Sequence, residues 1–326
     1  MSRDDALLIG ICTYRRPGIA DTLASLARLD PCGLPVRIAV ADNDAAPSAR
    51  ARVEAIAASH PLPVTYLHAP VANISIARNA LLDHARATGT RLLAWIDADE
   101  TAEPGWLAAL VAAWRAGQAA PQGPLGAVLG PVRAHYPAGA PAWMDRVRAH
   151  DTLPVVRNAA ITAGYTCNAL LDLDDPAVSG LRFDPDRGRT GGEDSAFFAA
   201  FLKAGGRIGY ADTALVHETV PADRARIGWL VKRRYRMGQT HASLIAAERG
   251  RLGRLSAAGL AGTKAAACAG LALMGLARPD WRNRQIMRAA LHAGAVARLV
   301  GARRIELYGT AHVASGPGRP DRLEEH

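Results

Sequence analysis

A chain of 326 residues, 49% apolar and 21% charged, has ordinary globular composition and is long enough for one large domain or two smaller ones. Its net charge of +9 suits an anionic partner, although an aromatic content of only 5% and the lack of a recognisable module argue against nucleic acid. The four cysteines, Cys12, Cys32, Cys167 and Cys268, form no Cys-x-x-Cys pair, which argues against thiolate-bound zinc and suits a reduced, cytoplasmic compartment.

The first residues lack the basic, apolar and cleavage regions of a signal peptide and lead into a strand expected over 7–12. Strand and helix signals then alternate, the pattern of an α/β fold with a mostly parallel sheet flanked by helices. Helices are expected over 17–29, 48–59 and 75–87, and strands over 36–41 and 64–67. A short apolar run, Leu92-Leu93-Ala94-Trp95-Ile96, reads as a strand buried on both faces and enters Asp97-Ala98-Asp99. Pro104-Gly105-Trp106 opens another helix, with proline where its missing donor is harmless. Further strands are expected over 125–133, 162–173 and 208–216, and a helix runs from Gly191 to a Gly205-Gly206 stop. Beyond about Pro221 only helical segments follow, with a polar tail at 315–326 expected to be disordered.

Chemistry-bearing residues fall at or after the carboxyl ends of these strands, where open α/β sheets bind ligands. If the strand continues, Asp97 and Asp99 point to the same side and can hold a hard divalent cation. Two aspartates capping the next helix is the alternative. Thr13-Tyr14-Arg15-Arg16-Pro17 is either an anion-binding loop or a solvated basic one. Asp42, in Asp42-Asn43-Asp44, can accept from a base or ribose edge, or organise a turn. Arg78 and Asn79 stand in the first turns of a helix, where arginine in a cleft pairs with an acid or a phosphate. Gly191-Gly192-Glu193-Asp194 sets two carboxylates at a helix start, suited to a general base or to plain capping. His217 follows the last strand and is a candidate ligand or a structural histidine.

Taken in order, Thr13-Tyr14-Arg15-Arg16, Asp42-Asn43, Ala77-Arg78-Asn79, Asp97-Ala98-Asp99 and Gly192-Glu193-Asp194 resemble the family 2 glycosyltransferases with the GT-A fold, over roughly residues 7–239. The stretch from Val216-His217-Glu218 to the Arg233-Arg234-Tyr235-Arg236 cluster resembles the branch that builds bacterial surface polysaccharides of the succinoglycan type. The resemblance implies transfer of a sugar from a nucleotide diphosphate sugar, with inversion. It implies that Thr13, Tyr14, Arg15, Asp42, Arg78, Asn79 and Asp97 bind the donor and that Asp99, Asp97 and His217 bind Mg²⁺ or Mn²⁺. It further implies that Asp194 is the base, with Glu193 beside it orienting the acceptor, a glycan or glycolipid precursor. The Gln-x-x-Arg-Trp pattern of processive members is absent, which points to addition of a single sugar. A nucleotidyltransferase or phosphotransferase on a similar sheet is the alternative enzyme, but no Gly-x-x-x-x-Gly-Lys loop supports it.

These features divide the chain into a catalytic domain at 1–222, a helical region at 223–314 and the tail. No run of about 18 uncharged apolar residues marks a bilayer span. An apolar stripe at Ile286, Ala290, Ala293, Ala297 and Val300, among arginines, is expected to face an anionic membrane or to pack on the catalytic domain. The membrane reading places the protein peripherally at the inner face of the cell membrane. A basic membrane-surface adaptor without enzymatic activity is the remaining reading, and it leaves the order of the acidic motifs unexplained.

Overall fold

The computed structural model describes residues 6–30 and 32–305, so the expected tail lies outside the described residues. Strands β1 (Leu7–Thr13), β2 (Val36–Asp42), β3 (Val64–His68) and β4 (Leu92–Ile96) alternate with helices α1 (Ile19–Leu26), α2 (Arg50–Ala57) and α3 (Ile74–Ala87). Then come β5 (Glu100–Ala102), α4 (Trp106–Gly117), β6 (Ala127–Leu129), β7 (Val132–His135), α5 (Trp143–Arg146), the hairpin of β8 (Val156–Arg157) and β9 (Ala160–Ile161), and β10 (Asn168–Asp172). Helix α6 (Glu193–Lys203) and strands β11 (Ile208–Tyr210) and β12 (Val216–Thr219) precede three long helices, α7 (Ile227–Glu248), α8 (Arg251–Met274) and α9 (Pro279–Leu299).

The main sheet has the order β11-β6-β10-β4-β1-β2-β3. Six strands run parallel and only β10, between β4 and β6, runs antiparallel. The apolar run of β4 follows from its central position. Leu92, Ala94 and Ile96 pack with α1 and α4 on one face, and Leu93 and Trp95 with α3 and α6 on the other. Each large side chain so buried contributes roughly 1.5–3 kcal/mol.

Two expected strands are broken. The 125–133 strand divides into β6 and β7, and the 208–216 strand into β11 and β12, with β7 and β12 leaving for a second sheet of order β5-β12-β7. One buried residue secures both breaks: Asn168 donates from Nδ2 to the carbonyls of Pro131 (2.9 Å) and Ala214 (2.7 Å), and its Oδ1 accepts from Trp106 Nε1 (2.8 Å). A Cβ at Gly130 would lie 2.4 Å from the Ala214 carbonyl oxygen, so only glycine passes this crossing. The 162–173 strand shortens to β10, and β5, α5 and the β8–β9 hairpin were not anticipated.

The helices from α7 onward pack directly on the α/β part. Arg146 on α5 makes a bidentate pair with Asp280 on α9, both contacts 2.8 Å. Helix α9 lies against both α7 and α8. Gly238 and Gly294 let α7 and α9 approach closely, since a Cβ at either would meet the other helix's backbone at 1.9 Å. The expected stripe on α9 is divided: Ile286, Ala290 and Ala297 are partly covered, and Ala293 and Val300 are exposed. The exposed apolar face belongs to α8, which is long and apolar enough to cross a membrane by length and composition, Lys264 notwithstanding.

Candidate active site

Parallel pairing brings the segments after β1, β2, β3 and β4 to one edge of the sheet. Asp97-Ala98-Asp99 lies beyond the end of β4, in a turn closed by the bond from Glu100 N to the Asp97 carbonyl (3.2 Å). Asp97 N donates to Glu100 Oε2 (2.8 Å). The two aspartates are thus gathered by a turn, not by the strand alternation the sequence suggested. Burial pushes Asp97 up to about 7; Arg78 opposes this, and Asp99, Glu218 and Asp194 add to it. Burial also holds the Glu100 carboxyl well above its usual range, helped by Asp97. Arg16 Nη1 reaches Asp99 Oδ2 at 3.4 Å.

The Glu193-Asp194 pair arrives by another route. Because β10 is antiparallel, its carboxyl end lies at the opposite edge, where Asp172 pairs with Arg91 (3.1 Å) and accepts from Trp114 Nε1 (3.2 Å). The chain returns over the start of α3. Asn73 Nδ2 donates to the Pro185 carbonyl and Ser75 Oγ to the Asp184 carbonyl, both at 2.8 Å. The Asn79 amide donates to the Phe183 carbonyl and accepts from Phe183 N, both at 2.9 Å. Asn79, expected at the nucleotide, is here a clamp on the returning loop.

Arg78, one residue earlier, donates from Nη1 to Glu193 Oε1 at 2.5 Å, and both side chains are buried. Burial works against the Arg78 charge, but Glu193 and Asp97 outweigh it and raise its pKa. The second oxygen of Glu193 has no partner among the described residues. Asp194 adds to the field at Asp97 and Cys167, and its Oδ1 accepts from Ser195 N (2.6 Å) in the first turn of α6. Gly191 (φ 79°) and Gly192 (φ 87°) make the sharp entry. Helix α7 covers this entry: a Cβ on Gly191 would lie 1.9 Å from Arg236 Nη1, and one on Gly192 2.3 Å from Thr240 Cγ2.

On the β1–β2 side, Arg15 adopts φ 52° and bonds Asp44 in a fork at 2.9 and 3.0 Å, with its guanidinium 5.2 Å from the Tyr14 ring centre. That hydrogen bond holds the Asp44 carboxyl below its usual range. Asp42 is fully buried and accepts from Asp44 N (3.0 Å), Ala49 N (2.9 Å) and Tyr66 Oη (2.9 Å). Its carboxylate therefore organises the loop, and no part of it is exposed to read a base. Thr13 Oγ1 is buried without a partner among the described residues.

His217 is held by partners other than the aspartates. Its Nε2 meets Glu103 Oε1 and its Nδ1 meets His135 Nε2, each at 2.7 Å. Successive strand residues face opposite ways, and it is the next one, Glu218, that shares the field of Asp97, Asp99 and Glu100. Burial raises the Glu218 carboxyl, with Arg233, Arg224 and Arg16 opposing. Glu218, Arg224 and Arg233 belong to the stretch that carries the succinoglycan-type resemblance but were not among the expected site residues; strand alternation on β12 was the signal for Glu218.

Residues 8–148 match the family described as Glycosyl transferase family 2. The succinoglycan biosynthesis protein ExoM of Rhizobium meliloti (strain 1021) is 47% identical over 308 residues, covering 94% of this chain and 97% of that protein. Among solved structures, the mannosyltransferase PcManGT from Pyrobaculum calidifontis, in complex with GDP-Man and Mn²⁺, is similar at TM-score 0.59 and 21% identity, over 91% of this chain and 87% of that one. That likeness establishes the GT-A fold. With the sheet, the order of its acidic segments and the full-length relative in agreement, the chain belongs to glycosyl transferase family 2 and is a glycosyltransferase.

Proposed function

We propose that the protein moves one sugar from a nucleotide diphosphate sugar to an acceptor hydroxyl, with inversion and without polymerising. The observation that carries this is the buried Arg78–Glu193 pair, which holds the start of α6 against the β4 edge, so that Asp194 contributes to the field at Asp97. Asp194 takes the proton of the attacking hydroxyl, and Glu193 holds its position through Arg78. A single base suffices for inversion, with no sugar–enzyme bond. Thr13, Tyr14, Arg15, Arg78 and Asp97 serve the nucleotide side, and Asp42 supports them from below.

The donor chemistry suits a divalent cation, although among the described residues no three His, Cys, Asp or Glu side chains are gathered closely enough to hold one. Asp97 and Asp99 offer hard oxygen donors, and burial drives Asp97 up to about 7, with the neighbouring Asp99, Glu218 and Asp194 adding to the rise. Asp99 and Asp97 are the proposed ligands for Mg²⁺ or Mn²⁺, and His217 stays with Glu103 and His135. A cation bound there would offset the charge that develops on the diphosphate leaving group. Arg16, beside Asp99, adds positive charge to the same edge.

The relative's printed name, a succinoglycan biosynthesis protein, supports a glycan or glycolipid acceptor on a surface-polysaccharide precursor. The sequence Lys232-Arg233-Arg234-Tyr235-Arg236, lacking Gln-x-x-Arg-Trp, supports single addition. The division into a catalytic domain at 1–222 and a helical region from 223 is retained, with the helices capping the loop at Gly191 and Gly192. The proposed place of action is the cytoplasmic face of the cell membrane.

The test is thermal unfolding with a panel of nucleoside diphosphates, with and without Mn²⁺, on the wild type and Asp99→Ala. A stabilising diphosphate at 100 times its Kd adds about 2.7 kcal/mol. Metal-dependent stabilisation that Asp99→Ala abolishes supports the proposal. No shift with any nucleotide at saturation overturns it.

A further inference from the structure

We propose that α8 lies flat on an anionic membrane surface and is the element by which the protein docks there. The proposal does not rest on the reaction proposed above. Leu252, Leu255, Leu260, Leu273 and Met274 are 82, 53, 59, 69 and 84% exposed on this one helix, and Leu276 follows at 61%. Isolated apolar residues on a surface need no explanation, but exposed leucines and methionine grouped toward both ends of one helix, with small residues, Thr263 and Lys264 between them, mark an interaction site. On the inner side, Ala258, Ala261, Cys268 and Ala272 are buried. Ala258 and Ala261 lie in one cluster with Ala295 and Leu299 of α9. The face is thus one side of a packed helix whose other side is already satisfied.

Charge chooses the occupant. Residues 249–305 contain eleven Lys and Arg and one acid, Asp280, whereas residues 1–248 hold 26 cations and 25 acids. The excess of +9 carried by the whole chain is therefore concentrated in α8, α9 and their flanks. Arg249, Arg251 and Arg254 stand at one end of α8, Lys264 in its middle and Arg278 beyond its other end. Such cations, next to a leucine face, match a headgroup layer carrying negative charge. A second copy of the same face would bring like charges together, which disfavours a dimer across it.

The orientation follows from α9. Trp281 Nε1 donates to the Leu271 carbonyl (3.2 Å) near one end of the α8–α9 hairpin, and Ala258 shares a cluster with Leu299 near the other. Inserting α8 across a bilayer would strip α9 from it or carry Arg282, Arg284, Arg288 and Arg298 into hydrocarbon. An in-plane helix keeps these arginines at the headgroups while the leucines enter the acyl boundary.

The experiment is co-sedimentation of the full chain with vesicles of phosphatidylcholine alone and of phosphatidylcholine with 30% phosphatidylglycerol. The variant is Leu260→Glu/Met274→Glu, whose exposed positions leave the fold intact, as circular dichroism and the thermal midpoint check. The wild type is expected to partition at least tenfold more onto the anionic vesicles, to be released by high salt or carbonate, and the variant to lose at least tenfold in binding. Wild type remaining in the supernatant with both vesicles overturns the proposal. So does binding unchanged in the folded variant, which moves the contact elsewhere, and so does resistance to carbonate, which indicates a spanning helix. A wild-type dimer that the variant converts to monomer, without vesicle binding, assigns the face to a second copy instead.

Discussion

Arg78 and Glu193 are 115 residues apart in sequence and joined by a 2.5 Å hydrogen bond in the interior. This pair links the first turns of α3 to the first turn of α6. It makes one site of the parallel strand ends and of a segment whose own strand points the other way.

Removing one partner leaves the other charge buried alone, which costs about 3–5 kcal/mol. Arg78→Met is therefore expected to lower stability by about that much in chemical denaturation. The double variant Arg78→Met/Glu193→Met is expected to recover most of the loss and to remain inactive. Additive losses in the double variant would show that the two side chains act independently.

Asp42 accepts three hydrogen bonds in a site without solvent exposure. Asp42→Ala is expected to destabilise the ligand-free protein by about 3 kcal/mol, and Tyr66→Phe by about 1 kcal/mol. Unchanged stability of Asp42→Ala without nucleotide, combined with weaker nucleotide binding, would return Asp42 to the role of a base reader.

His150 is buried between Tyr136 and Trp229, stacked on the indole at 5.2 Å. Burial lowers its pKa from 6.5 to about 4, with Arg233 and Arg234 adding to the shift and a hydrogen bond to the Arg224 backbone opposing it. Between these values the unfolded chain binds a proton that the folded chain refuses, so stability falls as the pH drops from about 6.5 to about 4. The loss is expected to reach about 3 kcal/mol at most. His150→Gln should flatten this part of the stability profile, measured by urea unfolding at several pH values.

Gly192 combines φ 87° with a Cβ position 2.3 Å from Thr240 Cγ2. Gly192→Ala is expected to lower stability by about 1–2 kcal/mol from the backbone alone. It should also reduce turnover more than tenfold by displacing Glu193 and Asp194. Thr240→Ser removes the methyl group and is expected to restore part of the stability but none of the backbone term.

His217 and Glu218 provide a direct contrast on β12. His217→Ala is expected to leave the Mn²⁺-dependent stabilisation by nucleotide within twofold, because the ring engages Glu103 and His135. Glu218→Ala is expected to change it several-fold. The opposite order in a thermal-shift titration would put His217 among the metal ligands.

Much of this molecule is legible in the chain itself. Periodicity marks β1, β2, β3, β4 and α3 to within one or two residues, because β1, β2 and β4 bury near-continuous apolar runs, α3 buries one helical face and β3 is a short β-branched and aromatic run. The acidic and basic segments after those strands follow from the same reading, since parallel strands share one carboxyl edge. The tertiary structure decided the rest. Local composition cannot report that β10 runs antiparallel, because strand direction is set by the partners on either side. Nor can it report that 125–133 and 208–216 each split between two sheets, a break held by Asn168 from a distant strand. The roles of neighbours were decided in the same way. Asn79 clamps Phe183 while Arg78 pairs with Glu193, and Glu218 turns toward the aspartates while His217 turns away. Such choices depend on which side of an element a residue occupies and on what packs there, and those are properties of the assembled fold.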